Sequence, residues 1–402
     1  MFINYRRILM AKDIQNKFYM LSKEEQKNIL KEIAAVFLKL GITAFGGPAA
    51  HVAMMDEEIV QKRKWLKKDK FLDLYGATNL LPGPNSTELA IHLGYERGGW
   101  QGLIIAGVSF ILPAMLIVIA FALAYTRYGY LPEVSGILYG IKPVIIAVVL
   151  QALIRLGKSA VKDIYTGVIG TIVIVLSFLG FHELFLLAFS GIIIMLIKNM
   201  NKLSKSKMLT LLPILPIASV VNTDITKSYM GLSDLFFTFL KIGSVLYGSG
   251  YVLLAFLETI FIEKYGVLTS GQLLDAVSVG QFTPGPVFTT ATFVGYMIQG
   301  LPGAILATIG IFLPSFLLVG LLNPLIPKLR SSSFIAALLD GINVASWGLM
   351  AVVSWKLGAS ALVDMPSIII ALVAYFILFK YKINSAWFVI SGGIAGLIIS
   401  LF

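Results

Sequence analysis

In a chain of 402 residues, 57% are apolar and only 13% charged, and mean hydropathy is +0.87. That is about half the charge of a soluble protein, which excludes a soluble enzyme or secreted domain and predicts a polytopic membrane protein. The net charge of +11 fits cytoplasmic loops better than a nucleic-acid face, and the lack of cysteine excludes disulfides and thiolate chemistry.

In chain order, residues 1–32 read as an amphipathic cytoplasmic segment without a signal peptide. Residues 33–200 form a first repeat and residues 234–402 a second. Between them, 201–233 is a linker whose apolar stretch Leu209–Val221 is short and interrupted by Pro213 and Pro216, either an extra crossing or a surface segment. Uncharged runs predict spans over Gly98–Thr126 (broken at Pro113), Val134–Ile154, Ile164–Phe181 and Leu184–Ile197. A further run, Ala276–Pro327, is long enough for two elements, and Ser331–Trp355, Met365–Phe379 and Ile383–Phe402 complete the series. Lys62–Lys70, with Trp65, reads as a cytoplasmic surface helix. Asp163 and Asp364 read as caps at span ends.

The repeat shows as a constant offset. Phe37–Gly41 matches Phe239–Gly243 and Pro82-Gly83-Pro84 matches Pro284-Gly285-Pro286 at an offset of 202; Leu112-Pro113, Gly140 and Asp163 find partners at 201. Six cations between Asp56 and Lys70 align with Lys264 alone, so the halves are expected to face opposite ways. The fold expected is all-α, an inverted repeat of about five membrane elements per half, with broken or re-entrant helices at the midplane.

Two segments are too polar and too broken for plain spans: Phe45-Gly46-Gly47-Pro48 followed by His51, and Pro82-Gly83-Pro84-Asn85-Ser86-Thr87-Glu88. A helix restarting after Pro84 presents free N–H groups and a partial positive charge, which suit an anion; the alternative is a structural kink. In the second half Thr283, Pro284, Gly285, Pro286 and Thr289 take the equivalent place. Lys39 and Lys241 align with each other and read either as cations facing an anion or as snorkelling lysines. Glu88 is the candidate for proton coupling; the alternative is an interfacial carboxylate paired with Arg97. Arg63 and Arg97 are candidate entrance residues. The three histidines are too scattered for a metal, so neither metal nor cofactor is expected.

At Phe45–Pro48, His51, Glu57, Arg63–Leu66, Phe71, Leu81–Glu88, Gly94-Tyr95 and Phe110–Pro113 the chain resembles the chromate transporter family, with a degenerate second copy at Phe282–Pro286. The resemblance covers about Phe37–Asp163 and Phe239–Asp364 and implies the two-domain form. It implies chromate efflux, sulfate as the analogue, and energy from the proton motive force. In the second half Tyr247-Gly-Ser-Gly250 replaces Phe-Gly-Gly-Pro and no histidine follows. The expected partners are a small oxyanion and the bilayer, with a homodimer left open. The expected location is the cell membrane, multi-pass, N-terminus cytoplasmic. A channel or a transporter for another small anion is the alternative; an intramembrane enzyme using His51 with Asp56 or Glu57 is the more distant one.

Overall fold

The computed structural model describes residues 18–203, 229–247, 250–323, 326, 329, 332–381 and 385–401. The apolar stretch Leu209–Val221 and most of the linker lie outside the described residues, as do residues 1–17.

The described residues form helices and no strands. The first half has seven: α1 Lys23–Thr43, α2 Gly47–Met55 running into a π turn at Asp56–Lys62, α3 Lys68–Thr78, α4 Asn85–Tyr128, α5 Pro132–Ala160, α6 Ile164–Phe178 and α7 Glu183–Leu203. The second half repeats the series: α8 Leu232–Val245, α9 Leu253–Leu257 with a π turn at Glu258–Lys264, α10 Ser270–Phe282, α11 Thr290–Leu322, α12 Ser333–Ala361, α13 Met365–Lys380 and α14 Ser385–Ser400. The expected boundary at residue 32 falls inside α1, a continuous helix started by a Ser22–Glu25 capping box. The Lys62–Lys70 run is not one helix: Arg63–Lys67 is irregular, and helix resumes at Lys68.

The expected break at Pro113 is absent. α4 runs through that proline, whose ring packs where Gly41 of α1 offers no side chain. The break falls instead at Gly98-Gly99, where Gly99 takes φ +57, and its counterpart in α11 is at Gln299-Gly300. Each break folds its helix back on itself. Gly94 lies against Gly102, and Gly295 against Gly303, so closely that a Cβ would strike the facing carbonyl.

The one-residue slip between the two offsets also has a physical site. Asn85 continues directly as α-helix, whereas Val287–Thr289 is a 3₁₀ turn before α11. Three 3₁₀ residues rise about 6 Å, the same as four α-helical ones.

The halves interlock. α5 packs against α13 and α14 of the second half, while its counterpart α12 packs against α6 and α7 of the first. Glycines permit the approach: a Cβ on Gly140 would meet Gly392 and Gly396, and one on Gly341 would meet Ser190 and Gly191. Asp163 and Asp364 cap α6 and α13 alike, accepting from the N–H of Thr166 and Ser367 at 2.9 Å each. Lys198, 2.7 Å away, holds the Asp163 carboxyl down at about 2.

Among the described residues, five helices are long and apolar enough to cross a membrane, while Ile164–Phe178 and two others are shorter apolar helices. The outer surface is apolar: Ile104, Val108, Leu112 and Leu116 form an exposed stripe along α4, one turn apart. An apolar face on a helix of this length fits contact with lipid. The protein is a multi-pass, all-α membrane protein with two homologous halves.

Candidate functional site

Four helix segments converge on two Pro-Gly-Pro tips. α3 and the first part of α4 form a hairpin: Asn85 Nδ2 donates to Asn79 Oδ1 at 2.9 Å beside the tip, and Lys70 pairs with Glu96 at 2.5 Å across the open end. α10 and the first part of α11 form the equivalent hairpin, with Gly280 pressed against Thr290. α1 stops at Ala44, and α2 returns beside it.

Each tip docks on the other half. Gly83 N–H donates to Leu246 O at 2.8 Å, and Gly285 N–H donates to Ala44 O at 3.0 Å. Ala44 and Leu246 are repeat equivalents, as are the two glycines, so the contact is made twice with the halves exchanged. Gly83 has φ +140 and Gly285 φ +86, conformations that L side chains rarely adopt.

The first tip holds the ionisable group. Glu88 is fully buried; its Oε1 accepts a long hydrogen bond from Ser315 of α11 at 3.4 Å, and its Oε2 has no hydrogen-bond partner. Thr87 Oγ1 and Asn85 Oδ1 are also buried without partners, while Ser86 is buried beside them. Pro82, Gly83 and Pro84 are buried with them. The alternative of a Glu88–Arg97 pair does not hold: Arg97 bonds Glu32 at 3.1 Å and lies over the Trp65 ring. At the second tip, Thr283, Pro284, Gly285, Pro286 and Thr289 are buried, and the Thr289 hydroxyl is spent on Pro286 O at 2.8 Å. The two tips therefore share a backbone plan and differ in chemistry.

The Phe-Gly-Gly-Pro segment is the turn between α1 and α2. Gly46 and Gly47 take φ +105 and +76, and Pro48 opens α2. His51 is buried, and its Nε2 meets Ala44 O at 3.0 Å, the carbonyl that also receives Gly285 N–H. His51 thus braces the strut on which the second tip rests. Its repeat equivalent, Leu253, is also buried but apolar.

Four of the expected residues stand away from the tips. Lys39 is exposed and pairs with Glu58 at 3.2 Å. Lys241 is exposed on α8, where Ile260 stands in place of Glu58. Arg63 bonds both Glu58 and Glu32 at 3.1 Å, so Arg63, Arg97 and Trp65 gather on Glu32. Three groups escaped the sequence reading: Ser315; the buried Glu58; and Asp275, which accepts from Tyr125 at 2.9 Å and pairs with Lys142 at 3.5 Å. Ser315 had no charge to mark it. Glu58 sits seven residues after His51 on one helical face, a signal masked by its neighbours Asp56 and Glu57.

No solved structure matches the chain. The Chromate transporter family profile matches residues 31–196 and again 233–397. The chain is 32% identical to a probable chromate transport protein of Synechococcus elongatus, covering 92% of this chain and 95% of the relative. It is 31% identical to a chromate transport protein of Cupriavidus metallidurans, covering 90% and 91%. A shorter Bacillus subtilis chain, the uncharacterized transporter YwrA, matches at 31% over 128 residues, 32% of this chain and 72% of that one. With two family matches laid over two structurally equivalent halves, the chain belongs to the chromate transporter family, a family of membrane transporters and not of enzymes.

Proposed function

We propose that this protein is a secondary transporter of a tetrahedral divalent oxyanion, exporting chromate across the cell membrane with sulfate as analogue, and that Glu88 couples anion to proton movement. The observation that carries the reading is Glu88 itself, wholly buried in the first turn of a half-helix with one carboxylate oxygen unpartnered. A buried ionisable residue at membrane depth costs about 2.5–3.5 kcal/mol or more and is retained for function. The N-terminal N–H groups of α4 attract an anion. An ionised Glu88 competes for the same field, whereas a protonated one yields it. Anion and proton occupancy are thereby linked. Relatives named as chromate transport proteins support the choice of ion.

The same proposal takes the halves as inverted. From Gly99 at the open end of the first hairpin, α4 rises about 39 Å to Tyr125, which bonds Asp275 in the middle of α10. That length exceeds the hydrocarbon thickness of about 30 Å, so the open ends of the two hairpins belong on opposite sides. The first part of α4, Asn85 to Arg97, rises about 20 Å, which brings its tip near the middle. The cation-rich first-half end then faces the cytoplasm, with the N-terminus. Alternating access follows by rocking one half against the other about the docked tips. Substrate contacts are assigned to Gly46–Pro48, His51, Pro82–Thr87, Thr283–Pro286 and Thr289. In this conformation the ion pair of Lys39 and the exposure of Lys241 favour surface roles for those two lysines.

The test is uptake of radiolabelled chromate and sulfate into proteoliposomes, with and without a pH gradient, for wild type and Glu88→Gln. Saturable flux driven by the gradient, and loss of that drive in the variant, are expected. Equal flux with and without a gradient would make the protein a channel or an uncoupled carrier. An unchanged pH dependence in Glu88→Gln would remove Glu88 from coupling.

A further inference from the structure

His92 is fully buried, and neither ring nitrogen has a hydrogen-bond partner. Leaving both nitrogens of a buried imidazole unsatisfied is costly, so such a group is retained for a reason or is bridged by water. Its place in the helix supplies the reason. Asn85, Glu88, His92 and Glu96 follow the helical period along the first part of α4, so they share one face from the tip to the open end. Both ends of this polar stripe reach across to α3: Asn85 bonds Asn79, and Glu96 pairs with Lys70.

The flanks of the stripe are dry. On one side Ile91 and Tyr95 belong to an apolar cluster with Val319 of α11. On the other, Leu89, Ala90 and Leu93 pack into the core made by α1, α2 and α3. The stripe therefore occupies the seam between two apolar clusters. At its inner end stands Glu88 with a free oxygen, and at its outer end stands the Glu96 carboxylate, its side chain 9% exposed. α11 brings no charged residue or histidine to this seam; its contribution is Ser315 at Glu88. From α3 come Lys70 and, on the exposed side, Asp73; Tyr247 lies within electrostatic reach of Glu88.

We infer that Glu88, His92 and Glu96 form a water-bridged proton path along the first half-helix, with His92 as its relay, so that the proton reaches Glu88 by a route separate from that of the anion. The inference rests on the reading of Glu88 as the coupling carboxylate. Successive groups are one helical turn apart on the same face, and neither ring nitrogen of His92 bonds Glu88 or Glu96 directly, so one bridging water on each side completes the path. A proton arriving through water from the Glu96 end binds one ring nitrogen of His92. The other ring nitrogen then releases its proton through water to Glu88 Oε2. Rotation of the neutral ring then turns the remaining N–H toward Glu88 and the bare nitrogen toward Glu96, ready for the next proton, and nothing is oxidised or reduced.

The experiment uses full-length protein in proteoliposomes and measures two fluxes of radiolabelled chromate: uptake driven by a pH gradient, and exchange against internal chromate at equal pH. Glu88→Gln, His92→Gln and Glu96→Gln are compared with wild type, with and without added imidazole. In His92→Gln, driven uptake is expected to fall by about a hundred-fold, the lower end of what a positioned proton-transfer group contributes. Exchange should persist and imidazole should restore part of the driven uptake. Driven uptake at the wild-type rate in His92→Gln would overturn the path. Loss of driven uptake and exchange together, with no imidazole rescue, would make His92 a packing residue and equally overturn it. Wild-type pH dependence in Glu88→Gln would instead strike the coupling reading on which the path depends.

Discussion

Replacing Gly83 by alanine probes the tip contact between the halves. Two costs add. At φ +140 an L residue sits in a region used almost only by glycine, which costs about 1–3 kcal/mol. The added Cβ would also fall on Ser315 Oγ and lie 2.5 Å from Glu88 Oε1, an overpacking worth about 1–3 kcal/mol more. Gly47 separates the two terms, because it has φ +76 with nothing within 4 Å of a Cβ. Gly47→Ala therefore carries the backbone cost alone, about 1–2 kcal/mol. The expected order of thermal stability in detergent is wild type, then Gly47→Ala, then Gly83→Ala. Adding Ser315→Ala to Gly83→Ala removes one colliding atom and should recover part of the loss, a coupling that a thermodynamic cycle reads directly. Equal losses for the two glycine variants, or no coupling to Ser315, would refute the packed tip.

Three further outcomes follow from contacts within and between the halves. Asp275→Asn strands Lys142 beside a neutral group and should cost about 3 kcal/mol, whereas adding Lys142→Met should recover much of it, as read by thermal unfolding of single and double variants. Gly140→Ala and Gly341→Ala each push a methyl into backbone of the other half, and each should destabilise by about 1–3 kcal/mol in the same assay. Asp163→Asn keeps the helix cap and removes the charge facing Lys198. Because the folded pKa, about 2, lies below the ordinary 3.8, the charge contributes stability that is full above pH about 4 and lost as pH falls through about 2. The gap between wild type and Asp163→Asn should close over that window.

Prolines, glycines and charges recurring at an offset of 202 and then 201 made the repeat legible, since each marks a backbone event that both copies must perform. The Pro-Gly-Pro tips were legible for the same reason. The exchange of partners was not, because α5 and α12 bury similar apolar faces whichever helices cover them. Pro113 drew attention as a breaker, yet the glycine of α1 beside it makes room for its ring, and the helix turns back at Gly98-Gly99. Lys39 and Lys241 look alike in sequence and part company because Glu58 exists in one half and Ile260 in the other. His92 passed as one of three scattered histidines until the burial of both ring nitrogens set it apart.

The exchanged packing of α5 and α14 also sets a clock on biogenesis. About 225 residues separate the end of α5 from the start of α14, and at about 5–20 residues per second the ribosome needs roughly 10–50 s to make them. Throughout that interval the glycine face of α5 has no partner, and the first half stays in the bilayer with an open seam around Gly136 and Gly140. The earlier half cannot mature on its own schedule, so quality control at the translocon must tolerate it until the last helix arrives.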